Sequence, residues 1–411
     1  MTERKRRILI LSIWEDFWSL GKGSGVPDEL HFSRYLTDRG FELHYLIPEP
    51  ARSTGPTDGA RLNFHTYPNI FRSLGRIREP LLRFLRPPAF NRAVLDRLRG
   101  LAASLQPDLL LGLSHYSLKP LHIVGSELGL PTAVKLFGVM YLGRFELPRL
   151  TYWMRNFDQV RALRHTVDHY IVLNDGTQGK LALTRLGIPP EKISFLQNGM
   201  NLAWADTPVD RPLVRSRLGL PREDICVATL ARLVKSKRVE LFLRVAARLD
   251  AEARSRSSFV IGGDGPERDA LALEARRLGL DDRVIFTGVI PHDEVVQFLK
   301  VCDIFVGTNE LTNMSMPPCE AILCGVPVVA FDVSGTAEVV RDGETGLLAT
   351  DGDIEGLARA LGSLIMDEPR RKRLGRQAAE FGRRHFVSWN ERIGMELSLI
   401  ERLIGAGPER S

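Results

Sequence analysis

The chain has 411 residues, of which 44% are apolar, so it is long enough for two packed domains of roughly 150 to 200 residues each. No apolar run approaches the roughly 20 residues that a membrane-spanning helix needs, which favours a cytoplasmic protein. The net charge is +6, with 27 Lys and Arg against 18 Asp and Glu in residues 1–200 and a slightly acidic remainder. The basic first half indicates an anionic partner, such as a phosphate-bearing acceptor or an acidic membrane surface. No recognised nucleic-acid-binding motif accompanies this charge, so nucleic acid is not an expected partner.

The first half of the sequence alternates between strand and helix patterns. Residues 7–13 predict a strand, which is followed by the glycine-rich loop 21–25 and by a helix over 27–38 that ends before Gly40. Further strands are expected at 42–47, 108–113, 133–137, 168–173 and 193–196.

A stretch rich in proline and charge, residues 204–221, is predicted as an interdomain linker. A second alternating series follows it, with strands expected at 225–230, 258–261, 284–287, 304–306 and 328–331. Apolar strands interleaved with helices predict a parallel sheet that is covered on both faces. The sequence therefore predicts an α/β protein with two doubly wound domains, over 1–203 and 204–385, and a closing helix over 386–411 that crosses back to the first domain. Ligands of such domains bind at the carboxyl ends of the strands.

Residues 71–103 form a basic, amphipathic stretch that Pro80, Pro87 and Pro88 interrupt. One interpretation is a pair of surface helices that pack their Leu and Phe side chains on the first domain. The alternative is a surface that docks peripherally on an anionic membrane or on a lipid-linked acceptor.

The four cysteines, Cys226, Cys302, Cys319 and Cys324, lie in or beside apolar runs of the second half. They include no CxxC pair and have no histidine cluster nearby in the sequence. We therefore expect reduced core thiols, with no metal site and no cofactor.

Three loops in the second half have compositions suited to a nucleotide diphosphate. Arg232 and Lys237 lie between a strand and a helix, where they could flank a diphosphate and neutralise the charge that grows on a leaving group. The loop 262–266, which includes Gly263, allows close backbone approach because its glycines lack side chains. Residues 333–338 form the third loop and open a helix.

Short sequence blocks follow one another in a fixed order over residues 228–349. They are ARLVKSK, IGGDGPERDAL, VIFTGVIPHDEVVQFLKVCDIFV, CEAILCGVPVVAF, SGTAEVV and DGETGLLA. In this order they resemble the C-terminal domain of glycosyltransferase family 4. The family comprises retaining enzymes with the GT-B fold, in which two doubly wound Rossmann-like domains face each other across a cleft. A weaker resemblance extends over nearly the whole chain, through SH at 114–115, QNGMN at 197–201 and FVSW at 386–389.

The resemblance implies roles for individual residues. Arg232 and Lys237 match the pair that binds the donor diphosphate, and Glu320 matches the second Glu of a Glu-x7-Glu motif, which hydrogen-bonds the ribose hydroxyls. His115 matches a histidine that contacts the donor sugar and positions or relays a proton, so His115, Arg232 and Lys237 are the expected catalytic residues. The other expected donor contacts are loop positions on the phosphate and base sides: Gly23, Gly25, Gly263, Gly288, Val289 and Ile290.

The sequence departs from the family pattern at the sugar end of the donor site. Thr312 stands eight positions before Glu320, where the family has the first Glu of its motif. We interpret Thr312, Asn313 and Ser315 as an altered pocket that offers hydroxyl and amide groups to the donor sugar.

The resemblance implies a metal-independent, retaining hexosyltransferase that uses a nucleotide-sugar, with UDP or GDP as the expected nucleotide. Its acceptor would be a glycan, a lipid-linked molecule or a small molecule, in polysaccharide or glycolipid biosynthesis. Two alternatives share this architecture: a nucleotide-sugar epimerase, and an inactive partner subunit that only binds the nucleotide-sugar.

Overall fold

The computed structural model describes residues 4–14, 27–49, 62–70, 79–137, 148–173, 179–310, 316–333 and 335–406. The chain divides into two compact units. Unit 1 comprises Met1–Gly199 and Trp389–Ser411, and unit 2 comprises Met200–Ser388. No described helix is both long enough and apolar enough to cross a membrane.

Unit 1 contains a wholly parallel sheet. Its described strands are β1 (Arg7–Ser12), β2 (Glu42–Pro48), β3 (Leu62–Tyr67), β4 (Leu109–Leu113), β5 (Thr132–Leu136), β6 (His169–Leu173) and β7 (Ile193–Leu196). They lie in the order β3-β2-β1-β4-β5-β6-β7, so the direction of winding reverses between β1 and β4. In such sheets ligands usually bind where the winding reverses, which here is at the carboxyl ends of β1 and β4.

Helices cover both faces of the unit 1 sheet. They are α1 (Pro27–Thr37), α2 (Glu79–Leu105), α3 (Leu118–Leu128), α4 (Arg149–Ala162), α5 (Gly179–Arg185) and the C-terminal α15 (Trp389–Gly405). One core contains buried side chains of α2 and α3, such as Phe90, Val94 and Leu121. The other contains Phe32 of α1 and Ile393 of α15, so the last helix of the chain completes the core of the first unit.

Unit 2 repeats the same architecture. Its described strands are β8 (Ile225–Leu230), β9 (Ser257–Gly262), β10 (Val284–Gly288), β11 (Ile304–Gly307), β12 (Val328–Asp332) and β13 (Gly346–Thr350). The order β10-β9-β8-β11-β12-β13 reverses between β8 and β11. The helices are α6 (Arg211–Arg217), α7 (Val239–Arg248), α8 (Ala251–Ser255), α9 (Arg268–Arg277), α10 (Val295–Val301), α11 (Met316–Leu323), α12 (Thr336–Val339), α13 (Ile354–Met366) and α14 (Glu368–His385).

Two expectations from the sequence differ from the structure. Residues 204–221, predicted as a linker, contain α6, whose first turn is capped because Asp210 Oδ1 accepts a hydrogen bond from Leu213 N at 3.0 Å. In the described part of 71–103, α2 continues through Pro87 and Pro88 as one helix, where a pair was expected. Its buried stripe, which includes Phe90, Val94 and Leu98, stabilises the helix despite the missing N–H donors of the prolines.

The chain passes from unit 1 to unit 2 after Gly199 and returns before Trp389. Met200 N donates a hydrogen bond to Val387 O at 2.8 Å, so the first and last residues of unit 2 are neighbours. On the unit 1 side, a Cβ added to Gly199 would lie 2.4 Å from Trp389 Cα. Only glycine allows the two segments to approach this closely.

Candidate nucleotide-sugar site

Two cations lie in the loop after β8, at the point where the winding of unit 2 reverses. Arg232 is exposed, and Lys237 is half-buried in a short 3-10 helix that precedes α7. Burial, and then the nearby Arg232 guanidinium, lower the pKa of Lys237. Neither side chain forms an ion pair with any residue that the structure describes. The pair therefore creates a positive field at a strand end, where an anion would be stabilised.

Arg238 fixes the shape of this loop and is not predicted from the sequence. Its backbone is left-handed at φ 46°, and its guanidinium donates to the backbone oxygens of Thr308 and Asn309, each at 3.0 Å. It also forms an ion pair with Asp351 at 2.6 Å, and Thr308 Oγ1 donates to Lys237 O at 3.1 Å. These contacts join the loops after β8 and β11, which holds Lys237 in place.

Backbone contacts join the loops after β8, β9 and β10. Gly263 has φ 115°, and a Cβ added there would lie 2.0 Å from Ala231 O, so the position requires glycine. Gly263 N donates to Gly288 O at 2.8 Å, and Leu233 N donates to Asp264 O at 2.9 Å. The structure thus brings Gly263 and Gly288 to the same sheet edge as the two cations.

The next two predicted residues follow Gly288 directly. Val289 is 75% exposed, whereas Ile290 is half-buried and packs against the core of unit 2. An exposed apolar side chain beside glycine-rich backbone offers a surface for a flat ring.

Glu320 lies on α11 and is almost fully buried. Burial alone raises the pKa of its carboxyl group to about 7. On the same side of unit 2, a small cavity beside the ends of β11 and β12 is lined by Gly307, Asn309, Pro318, Phe331, Gly335 and Thr336. The predicted sugar-pocket residues Thr312, Asn313 and Ser315 lie outside the described residues, as do Gly23 and Gly25.

His115 occupies the corresponding switch point of unit 1, directly after β4. Ser114 has φ 147°, and its Oγ accepts a hydrogen bond from Tyr116 N at 3.0 Å, which begins a short 3-10 helix. The His115 ring lies 4.3 Å from the Tyr116 ring, centroid to centroid. Asp158 of α4 is buried, and its Oδ2 lies 3.8 Å from His115 Nε2 and accepts from Tyr116 Oη at 3.3 Å. Asp158 and Tyr116 thus fix the surroundings of His115.

Two protein-family models match this chain. The model for Glycosyltransferase Family 4 matches residues 30–204, and the model for Glycosyl transferases group 1 matches residues 210–381. The chain belongs to glycosyltransferase family 4. It is therefore an enzyme that transfers a sugar from a nucleotide-sugar, and its two Rossmann-like units are those of the GT-B fold.

Individual relatives and solved structures agree with this assignment. The 2-deoxystreptamine N-acetyl-D-glucosaminyltransferase of Streptomyces fradiae is 27% identical over 84% of this chain and 83% of its own. The D-inositol 3-phosphate glycosyltransferase of Acidothermus cellulolyticus is 32% identical over 47% of this chain and 45% of its own. The structure of HepE from Anabaena in complex with UDP aligns with a TM-score of 0.69 at 19% identity and covers 96% of this chain and 100% of that one.

Sequence blocks of the family identify functional residues only by their neighbours along the chain. Two residues that shape the site of this glycosyltransferase therefore escaped the sequence analysis. Arg232, Lys237 and Glu320 stand in recognisable blocks. Asp158 and Arg238 contact residues 42 to 113 positions away, and no local motif indicates such contacts. In the sequence, Asp158 is an acidic residue within a helix and Arg238 is an arginine directly before one. Neither pattern indicates a function.

Proposed function

We propose that the chain is a retaining glycosyltransferase that uses a UDP- or GDP-sugar and needs no divalent metal. The acceptor hydroxyl oxygen replaces the diphosphate oxygen at the anomeric carbon of the sugar, and the hydroxyl proton leaves with the diphosphate. UDP is the favoured nucleotide, because solved HepE structures, which share this fold, contain UDP and UDP-glucose.

The observation that carries the proposal is the pair of cations at the switch point of unit 2, neither of which has a carboxylate partner among the residues that the structure describes. A departing nucleoside diphosphate gains negative charge as its bond to the sugar breaks. Arg232 and Lys237 are held on loops that Arg238 and Gly263 fix, so they are positioned before the reaction begins. Fixed positive charges stabilise such a transition state without a reorganisation cost, and they can take the part that a metal ion plays in other transferases.

A double substitution tests this role. We expect Arg232→Ala with Lys237→Ala to lower kcat/KM by roughly 10³-fold or more, because the loss of one preorganised transition-state contact costs about 10²- to 10³-fold. Arg222→Ala with Arg276→Ala is the matched control, since it removes the same charge from exposed positions of unit 2. Full turnover in the first double variant would contradict the proposal.

The stereochemistry and the metal requirement can be measured on the wild-type enzyme. NMR of the first product formed should show the same anomeric configuration as the donor, and activity should survive exhaustive treatment with EDTA. An inverted product, or loss of activity that Mg²⁺ or Mn²⁺ restores, would overturn those parts of the proposal. Release of an epimerised nucleotide-sugar without acceptor would favour the epimerase alternative instead.

The acceptor is a glycan, a lipid-linked molecule or a small molecule. The names of the relatives point to chemically different acceptors, an aminocyclitol in one and an inositol phosphate in another.

We also propose a peripheral contact between an anionic membrane and the basic stretch 71–103, because Arg92 and Arg97 on the outer face of α2 are exposed. Sedimentation with anionic vesicles should lose this contact in Arg92→Gln with Arg97→Gln, and unchanged binding would refute it.

A further inference from the structure

The side chain of Arg238 contacts groups at three further strand ends of the unit 2 sheet. Arg238 itself lies in the loop after β8, and its Nε and Nη2 donate to the backbone oxygens of Thr308 and Asn309, which follow β11. Its guanidinium carbon lies 5.5 Å from the centre of the Phe331 ring on β12. Nη2 also lies 2.6 Å from Oδ1 of Asp351, the residue directly after β13. One side chain thus spans the sheet from its switch point to the edge strand β13.

The backbone of Arg238 is strained. It is left-handed, with φ 46° and ψ 40°, at the junction between the 3-10 helix 235–237 and α7. This conformation costs free energy for an arginine because its Cβ crowds the carbonyl oxygen, whereas glycine adopts it freely. A turn that needed only this shape would be built best with glycine. The contacts of the guanidinium therefore offset a backbone cost, and strain of this kind is concentrated at functional sites.

Asp351 determines the direction in which the guanidinium points. A guanidinium is planar and its N–H groups form a rigid fork, so one bound carboxylate orients the whole group. The Asp351 side chain is 46% exposed and that of Arg238 is 18% exposed, and an ion pair with so much exposure contributes little to stability. The pair instead fixes the N–H groups that Arg238 presents to the two backbone oxygens after β11.

Thr308 joins this arrangement to Lys237. Its backbone oxygen accepts from Arg238, and its Oγ1 donates to the backbone oxygen of Lys237 at 3.1 Å. The ammonium group of Lys237 pairs with no carboxylate among the residues that the structure describes, and the nearby Arg232 repels it. The position of this ammonium group therefore depends on how firmly the backbone of Lys237 is held.

We propose that Arg238 and Asp351 are positioning residues for the transfer reaction. Asp351 orients the guanidinium of Arg238, which fixes Thr308. Thr308 in turn holds the backbone of Lys237, so that its ammonium group is in place when the diphosphate departs. Arg238 and Asp351 do this without contacting the donor. The inference rests on the proposed function, because it concerns a cation that this function assigns to the diphosphate.

A positioning role affects the reaction rate more than it affects nucleotide binding. A lysine that has lost its fixed position can still move to a bound diphosphate, so free UDP should keep most of its affinity. The transition state needs the charge in place beforehand. Since a misplacement of about 1 Å can cost about 10²-fold in rate, we expect Arg238→Gly to lower kcat by about 10²-fold. It should weaken UDP binding by less than about threefold.

Release of UDP from UDP-glucose or UDP-N-acetylglucosamine measures kcat on the full chain, and calorimetry measures the affinity for UDP. Arg238→Gly is the informative substitution, because glycine keeps the left-handed turn. Arg238→Lys keeps the charge, but its compact ammonium group cannot replace the planar fork, so its kcat should stay low. Wild-type kcat in either variant would overturn the proposal, as would equal losses of kcat and UDP affinity in Arg238→Gly.

The role of Asp351 is tested by combining two substitutions. Asp351→Asn keeps the size of the side chain and removes its charge, so kcat should fall by about tenfold. If Asp351 acts only through Arg238, the double variant Asp351→Asn with Arg238→Gly is no slower than Arg238→Gly alone. Losses that multiply in the double variant would show that Asp351 acts by another route, and its assigned role would be wrong.

Arg283 offers a matched control at the opposite edge of the same sheet, where the strands begin. Its Nη1 donates to Oδ2 of Asp224 at 3.2 Å and to the backbone oxygen of Ser255 at 2.9 Å. It therefore also joins loops through one carboxylate and one carbonyl group. Arg283→Gly should leave kcat unchanged. If it lowers kcat as much as Arg238→Gly does, the effect is one of general destabilisation and the proposal is wrong.

Failure of this inference can be separated from failure of the proposed function. If Arg232→Ala with Lys237→Ala loses turnover as expected but Arg238→Gly keeps the wild-type kcat, only the positioning role is wrong. If the Arg232 and Lys237 double variant keeps full turnover, the proposed function itself fails, whatever Arg238→Gly does.

Discussion

At the scale of single residues, the raised pKa of Glu320 predicts a pH dependence of donor binding, if this carboxyl group binds the ribose as proposed. A pKa of about 7 leaves the carboxyl group mostly protonated at pH 6, whereas a carboxylate is the better acceptor for ribose hydroxyls. If the donor binds only to the carboxylate form, Glu320 must lose its proton on binding below pH 7, which lowers the affinity. We therefore expect affinity for a UDP-sugar to be about tenfold weaker at pH 6 than at pH 8.

Calorimetry across this range would measure the effect, with Glu320→Gln as the variant that should bind weakly at both values. The intact nucleotide-sugar is the right ligand, because the terminal phosphate of free UDP itself titrates near pH 6. An affinity of the wild-type protein that does not change with pH would show that Glu320 does not bind as a carboxylate.

The sequence does not predict the role of residues whose side chains bind backbone groups far along the chain. Arg232 and Lys237 stand in a sequence block that resembles the diphosphate-binding loop of the family, so the sequence predicts a role for them. Arg238 donates to carbonyl oxygens of Thr308 and Asn309, and any residue type supplies a carbonyl. The sequence of the partner therefore holds no information about the contact.

At the scale of elements, α15 is tied to unit 1 by buried charges. Lys135 of β5 contacts Glu29 of α1 at 2.6 Å and Glu396 of α15 at 2.7 Å. Arg392 contacts Asp28 at 2.8 Å and Glu396 at 2.6 Å. Burial raises the pKa of Glu29 to about 7, although Lys135 opposes this shift. The cluster holds three carboxyl groups and two cations, so removing either cation leaves buried acids without compensation.

Arg392→Met should therefore destabilise the protein by about 3–5 kcal/mol, measured as the free energy of unfolding in urea. The same helix supplies the control, because Glu401 forms an exposed pair with Arg6 at 2.8 Å. Glu401→Gln should cost less than about 1 kcal/mol. Equal losses in the two variants would show that the buried cluster does not stabilise the attachment of α15.

Elements with continuous apolar character are the ones that the sequence predicts well. The expected range 225–230 coincides with β8, five of whose six residues are buried. The edge strand β3 is not predicted, because its sequence LNFHTY alternates polar and apolar residues and all but Tyr67 are only half-buried. A strand with so little buried surface lacks the apolar run on which the other strand predictions rest.

At the scale of the molecule, unit 2 is one continuous segment whose ends lie side by side. The segment 200–388 contains its own sheet and cores together with Arg232, Lys237 and Glu320. We therefore expect this fragment to fold alone and to bind a UDP-sugar within about tenfold of the full chain's affinity. Calorimetry would measure this, with Arg232→Ala and Lys237→Ala in the same fragment as the control that should not bind. A folded fragment without affinity would place essential donor contacts outside unit 2.

The return of the chain to unit 1 sets an order for synthesis on the ribosome. Ile393 and Ile400 of α15 fill the core of unit 1, yet they are made only after all of residues 200–388. At about 5–20 residues per second, the first 199 residues wait roughly 10–40 s for that helix. During this interval Lys135 lacks Glu396 and Asp28 lacks Arg392, and the apolar surface beneath that helix is uncovered. We therefore expect the nascent chain to be most prone to aggregation, and most dependent on chaperones, in the interval before α15 is made. This holds even when unit 2 is already complete.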